Sequence, residues 1–479
     1  MIPSKRFIQN VSASTIQMAT NQVTGLIIFY VLSREMDKAS FGNFNWALAA
    51  LLISFGILQC GIDQLIVKKV ASGESSFPVV PLYISHVCVT GIFFLSLMLI
   101  SYLLFPHSTI LYPLLVLTVG RLFAFFSSPF KLLCAGLEKF RLLLFMSVGA
   151  GVSRTLLLLV LYYLDQLSSL KNILVVFITG DFIELVITIF ISRRYLKASL
   201  RPYFNLVAYK RLFKEALPPL GTAVLAVVIA RLDWILIGIF QPAERLAEYS
   251  FAYKIYELSA FPLLIIAPLL IPRFSKIFRD KQVDETTITN LKALLSFELI
   301  IASLTSIILV ILWVPVIDFI TEGKYGYVNR QTIFILSLCT SFVYFNNFFW
   351  TIYFSCSRLK EIFWIFTAAF AVNLTGDIVL IPLFHNEGAA AACLLSLVTQ
   401  SVLFLKTSKI SGLNRLPGSL LVYPVWALVS GFISVALFTS VIAILASAVC
   451  IYLTGVLLSV DMMIPHYNVF KRVKKAWNL

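Results

Sequence analysis

Between Arg415 and Asp461 the chain runs for 45 residues without a charged side chain, and long apolar stretches of this kind recur from end to end. A helical crossing of a bilayer needs roughly 20 mostly apolar residues. Hydrocarbon offers no partner to backbone polar groups, so a crossing segment is a helix or a strand of a closed barrel. The apolar stretches here show no alternation of apolar and polar residues, which argues for helices and against a barrel. Composition agrees. Of 479 residues, 59% are hydrophobic and 13% charged, with a mean hydropathy of +0.92, against about 25% charged residues in a soluble domain. The fold class is an all-α polytopic membrane protein.

The pattern predicts about fourteen transmembrane helices, at 10–32, 42–66, 79–105, 110–133, 142–164, 171–192, 216–240, 247–271, 293–319, 331–355, 361–384, 388–406, 418–437 and 440–460. Fourteen crossings put both termini on one side. Of the 38 lysines and arginines, that side collects 28, the other side 6, and four fall inside spans. By the positive-inside rule both termini are cytoplasmic. The formal charge of +15, which in a soluble chain would suggest nucleic acid, is read as this asymmetry, and no nucleic-acid partner is expected. Lys5 and Arg6 precede a long, rather polar span with no small-residue cleavage site, unlike a cleavable signal peptide. The seven cysteines are scattered through apolar stretches without a C-x-x-C pair. They read as packing residues, with no metal site and no cofactor expected.

The basic loop after the sixth span divides the chain. Asp37 to Ala47 entering the second span is weakly like Glu244 to Lys254 entering the eighth; Ala135 to Phe140 is weakly like Cys356 to Glu361. The parse is two pseudo-symmetric six-helix bundles plus two C-terminal helices: residues 1–200 and 201–410 as lobes, and 411–479 as two added helices with a basic cytoplasmic tail. Internal repeats with a site between them are a recurrent transporter architecture.

Charges inside spans are costly and usually face a cavity or a partner. Arg121 lies 11 residues into the fourth span and Arg154 lies 12 into the fifth, both close to midplane, as are Asp181 and Glu184 on one face of the sixth. In the second half, antiparallel geometry levels Asp233 with Lys254 and Arg231 with Glu257. These are either salt bridges clipping two spans or pairs exchanged in a polar cavity. With Asp377, the deep acids outnumber the deep cations by one. Asp63 and Glu298, near cytoplasmic span ends, are expected to be solvated. In the first span Asn10, Ser14, Gln17, Asn21 and Thr24 form one helical stripe. It either binds a neighbouring helix or, as we favour, lines a wet cavity and bonds sugar hydroxyls. The tenth span mixes Ser337, Ser341, Tyr344, Asn347 and Thr351 with Phe345, Phe348, Phe349 and Trp350, a weaker match to sugar rings.

Three stretches carry a family resemblance: Ser33-Arg34 through Phe41-Gly42 to Gly61; Asp233 to Gly238 followed by Glu248 to Ile255; and Asn373 to Ile381-Pro382 followed by Gly388 to Ala391. In order and spacing the chain resembles the polysaccharide transporter family (Wzx-type O-antigen flippases) of the MOP superfamily. Asp377 and His385-Asn386 depart from the family pattern. The resemblance implies a flippase, not an enzyme, in the bacterial inner membrane. It would carry undecaprenyl-diphosphate-linked oligosaccharide between leaflets by alternating access, coupled to an ion. Arg121, Arg154, Arg231 and Lys254 would hold the diphosphate, since guanidinium groups offer paired donors to phosphate oxygens. Asn10, Gln17 and Asn21 would accommodate sugars, and the prenyl tail would stay in lipid. Asp233, Glu257, Asp181 and Glu184 would be coupling candidates. Partners would be the lipid-linked oligosaccharide, membrane lipid, and a polysaccharide polymerase and chain-length regulator. A lipid II flippase or a multidrug and toxin extruder of the same superfamily is the near alternative. A membrane polymerase or acyltransferase fits less well, because the outer loops are short and the four histidines dispersed.

Overall fold

Caps and breakers written in the sequence decide where the first helices begin and end. The computed structural model describes residues 5–73, 78–108, 110–167, 169–196, 201–263, 270, 274, 277–278, 285–408 and 422–463, the side chains of 5–11, 64, 218–219 and 459–463 excepted. Helix α1, Lys5–Glu35, is followed by Asp37, whose carboxylate accepts from the Ser40 backbone N–H at 2.9 Å and caps α2, Lys38–Leu58. Cys60 and Gly61 then take left-handed backbone (φ 52° and 62°) and turn the chain into α3, Ile62–Ser72. A Cβ at Gly61 would stand 2.7 Å from the Leu220 Cα, so no larger residue fits this close crossing. The single span expected at 42–66 is thus two helices.

Four long helices follow: α4 Val79–Leu104, α5 Leu111–Gly136, α6 Phe140–Tyr163 and α7 Leu170–Ile191. A π-helical turn, Ser192–Leu196, ends the last of them. Asn205 caps α8, Leu206–Ile229, by accepting from the Ala208 N–H at 2.9 Å. Helix α8 bends by 60° between Leu217 and Leu220, where Pro218 and Pro219 remove two backbone donors. Helix α9, Leu232–Phe240, begins after a break at Ala230–Arg231. The seventh span is therefore also broken.

The chain divides into two compact units, Met1–Gly238 and Ile239–Leu479. The second holds α10 Ala243–Ser259, α11 Glu285–Thr321, α12 Arg330–Ser355, α13 Leu359–Thr407, α14 Val422–Leu437 and α15 Val441–Met463. Helix α13 doubles back at His385 (φ 53°, ψ −126°). Its two arms run antiparallel: Ser396 Oγ donates to the Ala369 carbonyl at 3.0 Å, and Gly376 faces Ala392. A Cβ at Gly388 would lie 2.1 Å from the Leu380 carbonyl oxygen, so the turn closes only on glycine. These arms are the expected spans 361–384 and 388–406. The core of this unit gathers Phe348, Phe349, Tyr353, Phe404, Tyr423 and Tyr452 from four helices. Phe348 and Phe349 are wholly buried there, which removes them as a sugar platform.

Among the described residues, ten helices are long and apolar enough to cross a membrane, with bent α8 as an eleventh. The longest of the ten is α13, which its turn makes into two crossings. Large apolar side chains such as Phe93, Leu104, Phe190 and Ile442 stand exposed on the helix surfaces, as lipid-facing residues do. The protein is an all-α, multi-pass membrane protein.

Candidate functional site

The first unit builds its charged cluster on three packed helices. Arg154 of α6 forms an ion pair with Asp181 of α7 through Nη2 and Oδ1, both side chains nearly buried. The guanidinium also lies over the Phe177 ring, 4.9 Å from its centroid. Its Nε has no hydrogen-bond partner among the described residues. Arg121 of α5 is half-buried, within electrostatic reach of both Arg154 and Asp181. It belongs to none of the ion pairs of the described residues.

Glycines make this cluster possible. A Cβ at Gly180 would meet Arg154 Cγ at 2.4 Å, and one at Gly120 would meet Asp181 Oδ2 at 3.1 Å. The spacing Gly120-Arg121 and Gly180-Asp181 is a signal that sequence reading missed: a small residue beside each charge lets the neighbouring helix bring its own charge in.

A second pair lies further along the same helices. Lys131 of α5 meets Glu184 of α7, and Ser127 Oγ donates to Glu184 Oε1 at 3.3 Å. Lys131, at the edge of the expected span 110–133, is counted with the cytoplasmic loop in the charge tally, but α5 continues to Gly136 and holds it within the helix. The deep charges of the three helices are therefore three cations against two acids. The excess of acids expected from the whole sequence does not hold in this cluster.

The remaining sequence candidates scatter. Arg231 sits in the break before α9, donates to the Ala230 carbonyl at 2.8 Å and covers the Trp234 ring at 4.8 Å. Asp233 is buried in the first turn of α9 and accepts from the Trp234 N–H at 2.9 Å. Lys254 pairs at 3.1 Å with Glu257, three residues along its own helix, and both side chains are about a quarter exposed. This pair lies within one helix, where i,i+3 side chains share a face.

In the α1 stripe, Thr24 is buried and turned onto Gly151 of α6, so at this position the stripe serves helix packing. Ser14 and Gln17 are half-buried and Asn21 is exposed; the Asn10 side chain lies outside the described residues. Asp377 and Asn373 are buried one turn apart on α13. Glu298 is not solvated as expected but buried, because α11 begins at Glu285 and carries it into the core. Asp63 is half-buried.

A family model described as "Polysaccharide biosynthesis protein" matches residues 7–278. The chain belongs to this family. The matched segment contains the whole α5–α6–α7 cluster. No curated protein sequence matches the chain significantly. Among solved structures, the lipid II flippase MurJ in an inward closed conformation aligns with a TM-score of 0.73 at 14% identity, covering 95% of this chain and 100% of that one. An inward-facing multidrug resistance MATE family transporter of the MOP superfamily aligns at 0.64 and 11%, covering 82% and 96%. A MOP superfamily transporter from Pyrococcus furiosus aligns at 0.58 and 12%, covering 84% and 93%. The family member described here therefore has the MOP-type fold.

Its second unit adds an apolar groove of about 1270 Å³ between α11, α12, α14 and α15. Ile307, Ile311, Phe334, Leu338, Leu428 and Phe432 line its length, while Arg330, Gln331 and Glu387 also border it. Sequence reading missed it, since apolar residues that line a groove look like those that face lipid.

Proposed function

We propose that this protein is a flippase for undecaprenyl-diphosphate-linked oligosaccharide, an O-antigen repeat unit or a similar one. It would move its substrate from the cytoplasmic to the periplasmic leaflet of the bacterial inner membrane, with both chain termini in the cytoplasm. The carrying observation is the cation excess on α5, α6 and α7, with Arg121 outside every ion pair of the described residues. A diphosphate brings at least two negative charges and a row of acceptor oxygens, and guanidinium groups match both.

Substrate and Asp181 compete for Arg154 in this reading. A diphosphate bound by Arg121 draws the Arg154 guanidinium, whose Nε has no partner among the described residues, and loosens its hold on Asp181. Asp181, relieved of its counter-charge, is then open to another cation, so substrate entry and ion exchange are linked at one pair. Glu184 repeats the arrangement with Lys131. Asp233 and Glu257 remain further coupling candidates, and Arg231 and Lys254 further contacts. Gln17, Asn21 and Asn10 on α1 would meet sugars. The apolar groove of the second unit suits a hydrocarbon chain, with lipid taking the rest of the prenyl tail. Lobes at 1–200 and 201–410, with 411–479 added, would be the moving parts of alternating access. A polymerase and chain-length regulator would act on the product.

The test is reconstitution in liposomes with defined lipid-linked oligosaccharides, with and without proton or sodium gradients. Translocation by the wild type, lost in Arg121→Ala and partly kept in Arg121→Lys, is expected. Full translocation by Arg121→Ala would remove the cation cluster from the mechanism. Movement of lipid II alone, with rescue of peptidoglycan synthesis and not of surface polysaccharide, would reassign the substrate.

A further inference from the structure

Glu298 of α11 is 1% exposed, and neither carboxyl oxygen has a hydrogen-bond partner among the described residues. Leu294 and Leu295 precede it by one turn on its helix face and Ala302 follows by one, all buried. Leu294 and Leu295 belong to the core of Phe348, Phe349 and Tyr452, while Ala302 packs with Leu263 and Tyr344. The carboxyl thus lies in a seam between two apolar clusters.

Four helices of this unit pack against α11. From α12, Tyr344 is within electrostatic reach of Glu298, but its hydroxyl donates to the Ser259 carbonyl at 2.8 Å. It offers the carboxyl an acceptor and no donor. Tyr423 of α14 is engaged with Ser296, and Tyr452 of α15 donates to the Ile300 carbonyl at 3.3 Å. On α10, Lys254 is committed to Glu257, and Tyr256 is buried beside Tyr253. No cation faces Glu298 among the described residues. A carboxylate without counter-charge or donor is disfavoured against the neutral acid.

We propose that Glu298 is a proton-binding site of the second unit, protonated while the seam between the two clusters is closed and deprotonated when it opens to water. In the release step the carboxyl O–H bond breaks, its electron pair stays on the carboxylate and water takes the proton; recapture reverses this. The place of that step in a transport cycle rests on the flippase reading, with the proton as the coupling ion. The protonation itself does not.

Infrared spectra of the purified full-length protein at neutral pH test the site directly. A protonated-carboxyl carbonyl band present in the wild type and missing in Glu298→Gln is expected; identical bands overturn the proposal. Should Glu298→Gln fail to accumulate, Glu298→Met gives the same difference. The second arm uses liposomes carrying a lipid-linked oligosaccharide. A pH gradient of one unit, worth about tenfold in the driving equilibrium, is expected to accelerate the wild type and to leave Glu298→Gln unmoved. A retained response in the variant overturns the coupling role. A wild type that moves no oligosaccharide, while the infrared band still depends on Glu298, refutes the flippase reading and leaves the proton site standing.

Discussion

Asp181 and Glu184 of the first unit and Glu298 of the second are buried in opposite company. In the first, Asp181 and Glu184 each lie against a cation, Arg154 and Lys131, with a third cation, Arg121, close by. In the second, Glu298 lies between apolar clusters with no cation facing it among the described residues. A carboxyl taken out of water must be paired or neutral. The first unit uses pairing, and its charges can then be traded for those of an anionic ligand. Neutrality at Glu298, as proposed, leaves that group responsive to protons and not to anions.

The comparison breaks most readily at Arg154. Removing it strands Asp181 with its main partner gone, a change that costs about 3–5 kcal/mol in a buried pair. Arg154→Ala is expected to lose membrane abundance, and the double variant Arg154→Met with Asp181→Leu to recover abundance without transport. Immunoblots of membrane fractions beside a translocation assay check both. If the double variant also transports, the pair is structural only. Arg121→Ala comes next: abundance unchanged, translocation down by about tenfold or more, the loss of one charge-assisted contact worth about 1.5–3 kcal/mol. Equal abundance and equal rate would show that the unit needs no free cation.

Lys131 and Lys254 sharpen the contrast between buried and wet pairs. Lys131→Met strands a buried Glu184 and is expected to lower thermal stability by about 3 kcal/mol. Lys254→Met, in a pair about a quarter exposed, should cost under about 1 kcal/mol. Melting of the purified variants in one detergent gives the ranking, and equal losses would erase it. An effect of similarly small size concerns Asp37, in the turn between α1 and α2. Hydrogen bonding, chiefly from the Ser40 backbone, holds its carboxyl below the usual aspartate range. A depressed value means that the cap contributes above the unfolded-state value and is lost as pH falls through the folded one. Asp37→Ala is expected to cost about 1 kcal/mol at neutral pH, with the two melting curves converging in acid; a constant gap would show that the carboxylate is not the capping group.

Sequence alone determined that the chain is a bundle of membrane helices, because long uncharged stretches have one solvent in which they can pack and hydrocarbon admits helices there. It placed the break at His385 and the charges of α5, α6 and α7 at common depth, since helical rise converts residue number into position. The three quoted stretches pointed to the family that the match over residues 7–278 bears out. Only the tertiary structure decided which charges meet. Lys131 enters the cluster because α5 runs on past the apolar stretch, and Arg154 reaches Asp181 because Gly180 leaves room. Glu298 is buried because α11 already begins at Glu285 and other helices of the unit pack over it. Pairing and burial depend on neighbours distant in sequence, and hydropathy, a sum over local residues, carries no term for them.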